Sequence, residues 1–202
     1  MKIITIGREL AAGGRTIGKM VANKLAIPYY DRELIDKAAI KAGFSVPFVE
    51  SSDQTITNSL LYNLTMGISI STSSFKNSDK EVLPLSEQVY IAQKEVITDY
   101  ASKGSCVIVG RCADYILKDY DILRVFIHSD MDKRAERAVK EYGMNKDTVV
   151  RELKKSDQNR SRHYNIFTDQ TWGDKNNYDL VLNSSTLGFD HCASIICTAA
   201  EN

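Results

Sequence analysis

The residues of this sequence best suited to chemistry are cations and glycines at the edges of predicted elements. Gly7, Gly13 and Gly14 punctuate a short stretch that also carries Arg8 and ends in Arg15 and Thr16, and farther on Gly110-Arg111 follows an apolar run. Glycine lets the backbone turn its N–H groups inward, a helix N-terminus adds partial positive charge, and a hydroxyl can ligate a hard cation. A phosphoryl group is the ligand such a stretch suits. A third group, Lys154, Lys155, Arg160 and Arg162, clusters in the polar segment 147–174. It is either a solvated helix face or, beside a phosphate loop, the charge-neutralising partner that phosphoryl transfer requires.

Regular elements must hold these groups. Lys2 to Ile6 is rich in β-branched residues, as a buried strand requires, and from Thr16 onward Ile17, Met20, Val21 and Leu25 fall at helical spacing. The order is strand, glycine loop, helix. The phosphate-loop pattern G-x-x-x-x-G-K-[ST] is met only in part. Gly14-Arg15-Thr16 keeps the hydroxyl but has arginine for lysine, and Glu9 stands where the first glycine belongs, so the loop counted from Gly7 is lengthened. The pattern alone leaves two readings, a phosphate site or a strand-to-helix turn without a ligand.

Ala26 to Tyr30 reads as a second strand ending at Asp31, which either caps a following helix or faces a ligand; Leu34, Ile35 and Ala38 give that helix its apolar stripe up to Gly43. Between Ser45 and Leu85 the character changes. Ile56, Leu60 and Leu64 mark another helix and a Ser/Thr-rich run follows, so a mobile, substrate-covering insertion is expected there. Ser86 is placed to cap a helix carrying Val89, Ala92, Val96 and Tyr100. Cys106 to Val109, Leu123 to Ile127 and Asp179 to Leu182 read as strands. Ser129 and Asp132 have capping-box spacing for a helix through Tyr142, and Phe189 to Ala199 forms the last helix. Alternation of this kind predicts a three-layer α/β/α fold around a parallel sheet of about five strands. Ligands then bind outside the carboxyl ends of the strands, where the glycine loop, Asp31 and Arg111 converge.

Composition narrows the partners. The 202 residues fit one domain that buries a core unaided, and 26 basic against 26 acidic residues leave no excess for a nucleic-acid polymer or a membrane surface. Cys106, Cys112, Cys192 and Cys197 form no C-x-x-C pair and no metal-ligand spacing with His128, His163 or His191, so reduced buried thiols are expected. No signal region precedes the first strand and no apolar run approaches the roughly 18 residues of a membrane span, which predicts a cytoplasmic protein. Small molecules are the expected partners; nothing in the sequence bears on oligomeric state.

The blocks ITIGRELAAGGRTIGKMVANKLAIPYYDRELI, VIVGRCADYIL, FIHSDMDKRA and the segment ending YDLVLNSSTLGFD resemble the cytidylate kinase-like family, relatives of the bacterial cytidylate kinases among the P-loop nucleoside monophosphate kinases. The resemblance covers most of the chain. It implies a single P-loop kinase domain over 1–202, with a monophosphate-binding insertion at 32–85 and a lid at 145–175. It further implies that Gly7, Arg8, Gly13, Gly14, Arg15 and Thr16 cradle the phosphates of ATP, with Thr16 near Mg²⁺. Asp31, Lys37 and Arg111 would meet the acceptor. Lys37 stands where the family has an arginine and so lacks its bidentate fork, and Val109 replaces the aspartate of the family's Asp-Gly-Arg motif. The lid pattern R-D-x-x-D-S-x-R aligns with Lys155 to Arg162, whose ends keep both cations while Asn159 and Arg160 replace Asp-Ser. Arg134 and Arg137 match a basic lid entrance, or equally a solvent-exposed, salt-bridged helix face. His128 and His163 are read as packed or exposed, and Trp172 and Tyr178 as packing.

The expected activity is in-line phosphoryl transfer from ATP to a nucleoside monophosphate or a similar small phosphorylated acceptor, with Arg15, Lys155 and Arg162 as the catalytic cations. Two alternatives stand beside it: a kinase of a different small molecule, and a regulatory nucleotide-binding protein, which loss of the loop lysine favours.

Overall fold

A computed structural model describes residues 2–31 and 85–201. Five parallel strands form one sheet in the order β2-β3-β1-β4-β5: β1 (Ile3–Arg8), β2 (Tyr29–Tyr30), β3 (Val107–Val109), β4 (Ile122–His128) and β5 (Leu180–Asn183). β1 is central, paired with β3 on one side and β4 on the other.

The β-branched alternation of these strands sorts side chains to two faces. Ile4, Ile6, Val107, Val109, Val125 and Ile127 pack on one face with Ile17 and Val21 of α1 (Gly14–Leu25) and with Cys192 and Ile196 of the C-terminal helix (Phe189–Glu201). On the other face Ile3 and Ile108 meet Ile97 and Ala101 of α2 (Leu85–Ser102) and Ala113 of the short α3 (Ala113–Ile116). The core is therefore double, and the architecture is the expected α/β/α sandwich. A third cluster, Ala11, Ala138, Val149 and Leu153, joins the loop after β1 to α4 (Met131–Tyr142) and α5 (Val149–Thr168). After β5 come the single turn α6 (Ser184–Leu187) and then α7, the C-terminal helix.

Several boundaries differ from the sequence reading. β1 extends to Arg8, so Gly7 is a strand residue and not part of the turn. Its bare backbone has a packing cause, since a Cβ there would lie 2.9 Å from the Phe126 ring. Asp130 is the N-cap of α4, and its side chain makes no capping hydrogen bond. The Ser129 N–H instead donates to Glu9, so the predicted capping box does not form. All four cysteines are free thiols. Among the described residues no helix is long and apolar enough to cross a membrane. The helix expected after Asp31, the insertion at 32–85 and Lys37 lie outside the described residues, apart from Leu85 itself, which begins α2.

Candidate functional site

Because all strands are parallel, β1, β2 and β3 deliver Arg8, Asp31 and Gly110 to the same edge of the sheet. The chain leaves β1 toward α1 on one face and leaves β3 toward α3 on the other, and this divergence between neighbouring strands opens a crevice. A cavity of about 520 Å³ occupies it.

The loop from Glu9 to Gly13 is held by charges from distant elements. Glu9 N–H donates to Ile127 O at 3.1 Å. The guanidinium of Arg134, on α4, donates through Nε to Leu10 O at 2.8 Å and pairs with Glu9 at 3.1 Å and with Asp157 of α5. The second Asp157 oxygen accepts the Leu10 N–H at 2.8 Å. Ser184 Oγ donates to Ala12 O at 2.7 Å, and Arg160 Nη1 to Arg8 O at 3.1 Å. Arg134 is 2 % exposed. It is thus neither a lid-entrance cation nor a solvent-facing partner but the buried clamp of the loop. Ala11 takes φ 61° and Gly13, the N-cap of α1, φ 88°. Gly13 offers no capping side chain, so the first-turn N–H groups of α1 face the loop uncapped by it.

The β3 end is strained. Gly110, Arg111 and Cys112 all have positive φ, at 83°, 60° and 55°. Consecutive non-glycine residues in this region are uncommon and cluster at functional sites. The turn aims Arg111 into the cavity wall beside Arg8. Across from them α5 contributes Lys155, Ser156, Asn159, Arg160, His163 and Tyr164, a stripe at helical spacing. Tyr164 donates its hydroxyl to Asp114 of α3 at 2.7 Å, tying the stripe to the strained turn. Burial raises the Asp114 carboxyl above its ordinary value, against the lowering effect of that hydrogen bond. Burial also pushes the Cys106 thiol up to about 11, which leaves it a packing group.

Gly7, Arg8, Arg111 and Lys155 of the expected site line this cavity. Gly13, Gly14, Arg15, Thr16, Asp31 and Arg162 do not. Arg15, its side chain 48 % exposed, turns to the end of β2 and pairs with the buried Asp31 at 2.8 Å. Burial, with the Asp31 charge beside it, pushes the adjoining Tyr29 hydroxyl up to about 12. Thr16 is exposed in the first turn of α1, and Arg162 is exposed on α5. Helical spacing turns Arg160 inward where the motif alignment pointed to Arg162. Glu9, Asp157 and Asp114 were not selected from the sequence as site residues, while Arg160 was noted only as part of the basic cluster and Arg134 only as a lid-entrance match or a solvent-exposed helix cation. The periodic signal for Arg160 was present in the stripe from Lys155 to Tyr164; for the clamp there was none. A second cavity of about 310 Å³ lies beside Ala11 on the other side of the loop, lined by Arg137, Ser184, Ser185 and Phe189. Arg137 stacks its guanidinium 4.0 Å from the Phe189 ring centre.

A central parallel β1, a glycine loop into α1 and a cation-lined crevice define the P-loop kinase fold. A shikimate kinase structure from Bacteroides thetaiotaomicron shares it at TM-score 0.58 and 13% identity, covering 100% of this chain and 99% of that one. A structure of an uncharacterized protein from Eubacterium ventriosum is more similar, at TM-score 0.74 and 25% identity over 100% of this chain and 99% of its own. The model of the Cytidylate kinase-like family matches residues 3–186, and the chain belongs to that family. A cytidylate kinase of Methanocaldococcus jannaschii is 25% identical over 204 residues, 99% of this chain and 98% of that protein.

Proposed function

We propose that the protein is an ATP- and Mg²⁺-dependent kinase that phosphorylates a nucleoside monophosphate or a similar small phosphorylated acceptor. The observation that supports it most is the cavity itself, where Arg8, Arg111, Lys155 and Arg160 face one space at the carboxyl ends of β1 and β3. So many cations around one cavity suit a phosphorylated ligand. Membership of a kinase family and the kinase fold of its neighbours support the same reading.

In this reading the loop and the first turn of α1 receive the phosphates of ATP, and the smaller cavity by Arg137 and Phe189 receives its base. Arg111 holds the acceptor phosphate, joined on the sequence argument by Lys37. An acceptor phosphate oxygen is already anionic, so no general base is needed. Lys155 and Arg160 on α5 neutralise charge and, with the rest of α5, wall the site from water. Among the described residues no group of three or more His, Cys, Asp or Glu side chains is arranged to hold a metal ion. The exposed Thr16 hydroxyl therefore suits a Mg²⁺ held chiefly by phosphate oxygens and water. Bound there, Mg²⁺ would neutralise charge on the transferred group.

The test is a coupled assay of the purified protein with ATP, Mg²⁺ and a panel of nucleoside monophosphates. At least one acceptor should raise ADP formation well above the ATPase background, and EDTA should abolish the rise. If none does while an ATP analogue still binds, the protein is a nucleotide-binding module.

A further inference from the structure

The loop lysine of the phosphate-loop pattern is replaced by Arg15, and Arg15 is engaged elsewhere. Its guanidinium pairs with Asp31 at 2.8 Å at the end of β2, and it is not among the residues lining the cavity. The other cation of the loop, Arg8, has the geometry that Arg15 lacks. It closes β1, in register with Ile127. Its stem crosses the start of α1, where a Cβ on Gly14 would lie 2.7 Å from Arg8 Cβ and 2.8 Å from Cγ. Its head reaches the β3 turn, where a Cβ on Gly110 would overlap Arg8 Nη1. That explains why position 110 carries no side chain, independently of its φ of 83°. Arg8 thus spans from the N-terminus of α1, the donor side, to the Gly110-Arg111 turn, the acceptor side, along the wall of the cavity. Arg160 fixes the root of this side chain by donating to Arg8 O at 3.1 Å.

The structure assigns Arg8 as the catalytic cation on the transferred phosphoryl group, in the role usually held by the loop lysine, and makes Arg15 a structural partner of Asp31. The assignment rests on the kinase reading above. In the step it serves, an acceptor oxygen forms a bond to the γ-phosphorus while the bond to the β,γ-bridging oxygen breaks, and the electron pair leaves with ADP. No proton moves at Arg8, which stays charged and donates N–H groups to the equatorial oxygens as their charge redistributes. An arginine reaching from the opposite end of the loop also offers a planar fork that lysine does not.

The experiment compares Arg8→Ala, Arg8→Lys and Arg15→Ala with the full wild-type chain. It measures kcat with the best acceptor, Kd for ADP alone and for ADP with aluminium fluoride, and the thermal midpoint. Arg8→Ala should lose about 100-fold or more in kcat. It should also lose most of the extra affinity that aluminium fluoride confers over ADP alone. Arg8→Lys should recover part of both losses. Arg15→Ala should lose at least tenfold less kcat than Arg8→Ala and should lower the midpoint. If Arg15→Ala removes the aluminium-fluoride gain and Arg8→Ala keeps it, the assignment is overturned while the kinase reading stands. A wild-type chain inactive toward every acceptor overturns both.

Discussion

Replacing Arg134 by methionine, which fills similar volume without charge, tests how the loop is held. The guanidinium is 2 % exposed and meets two carboxylates and a carbonyl. Its removal leaves Glu9 and Asp157 partly buried without their common counter-charge, and leaves Leu10 O without its donor. Breaking a buried pair from one side costs about 3–5 kcal/mol, and the partial exposure of both carboxylates puts the expected loss near the lower end, about 3 kcal/mol. For a chain of this size that is a fall of about 6–12 °C in the thermal midpoint. Urea unfolding followed by circular dichroism gives the free energy directly. Adding Asp157→Asn to the Arg134 variant should return part of the loss, because one orphaned charge disappears while the side chain can still accept the Leu10 N–H. A loss below about 1 kcal/mol would place Arg134 among ordinary surface pairs and refute the clamp.

Two further outcomes are expected. Ala11 holds a left-handed φ of 61° but buries its methyl in the third cluster, so in Ala11→Gly about 1 kcal/mol of relieved strain is offset by a lost methyl of about 0.8 kcal/mol, and the urea midpoint should stay near wild type instead of falling as glycine usually makes it fall. Asp114 has a raised carboxyl pKa in the folded chain, so the folded state binds more protons than the unfolded one, and stability falls as pH rises from the ordinary value of 3.8 toward the raised one. Asp114→Asn, which can still accept from Tyr164, should show no such fall, so its stability relative to wild type should increase across that window in a pH series of urea titrations.

The fold was largely legible because its determinants are local. β-Branched runs located four strands to within a residue or two, and helical spacing located α1, α2 and α7. β2, only Tyr29–Tyr30, was overextended because Ala26 closes α1 with a left-handed residue where the sequence suggested a strand. The cavity lining was legible where a cation follows a strand, as at Arg8 and Arg111, since a charge after an apolar run is visible in one dimension. The clamp was not. Leu10 and Asp157 are 147 positions apart and Leu10 and Arg134 are 124 apart, so no window of sequence contains the arrangement. Ser129 misled for a related reason: its spacing to Asp132 is that of a cap, but its N–H is claimed by Glu9 at the end of the neighbouring strand β1, 120 positions away. A linear motif singles out Arg162, but the helix face decides which side chain meets the cavity, and that one is Arg160.

The central place of β1 sets the timing of synthesis. Ile4 pairs with Val107 on one side and with Leu123 on the other. A ribosome adding roughly 5–20 residues per second needs on the order of 5–25 s to deliver both neighbours, during which the apolar run has no strand to dock against. β1 thus waits for partners on both of its edges until β3 and β4 have been made. The nascent chain thus carries an unpartnered, β-branched template for longer than it would if β1 lay beside the next strand in order. Production in a host should accordingly depend more on early chaperone capture than on the stability of the finished fold.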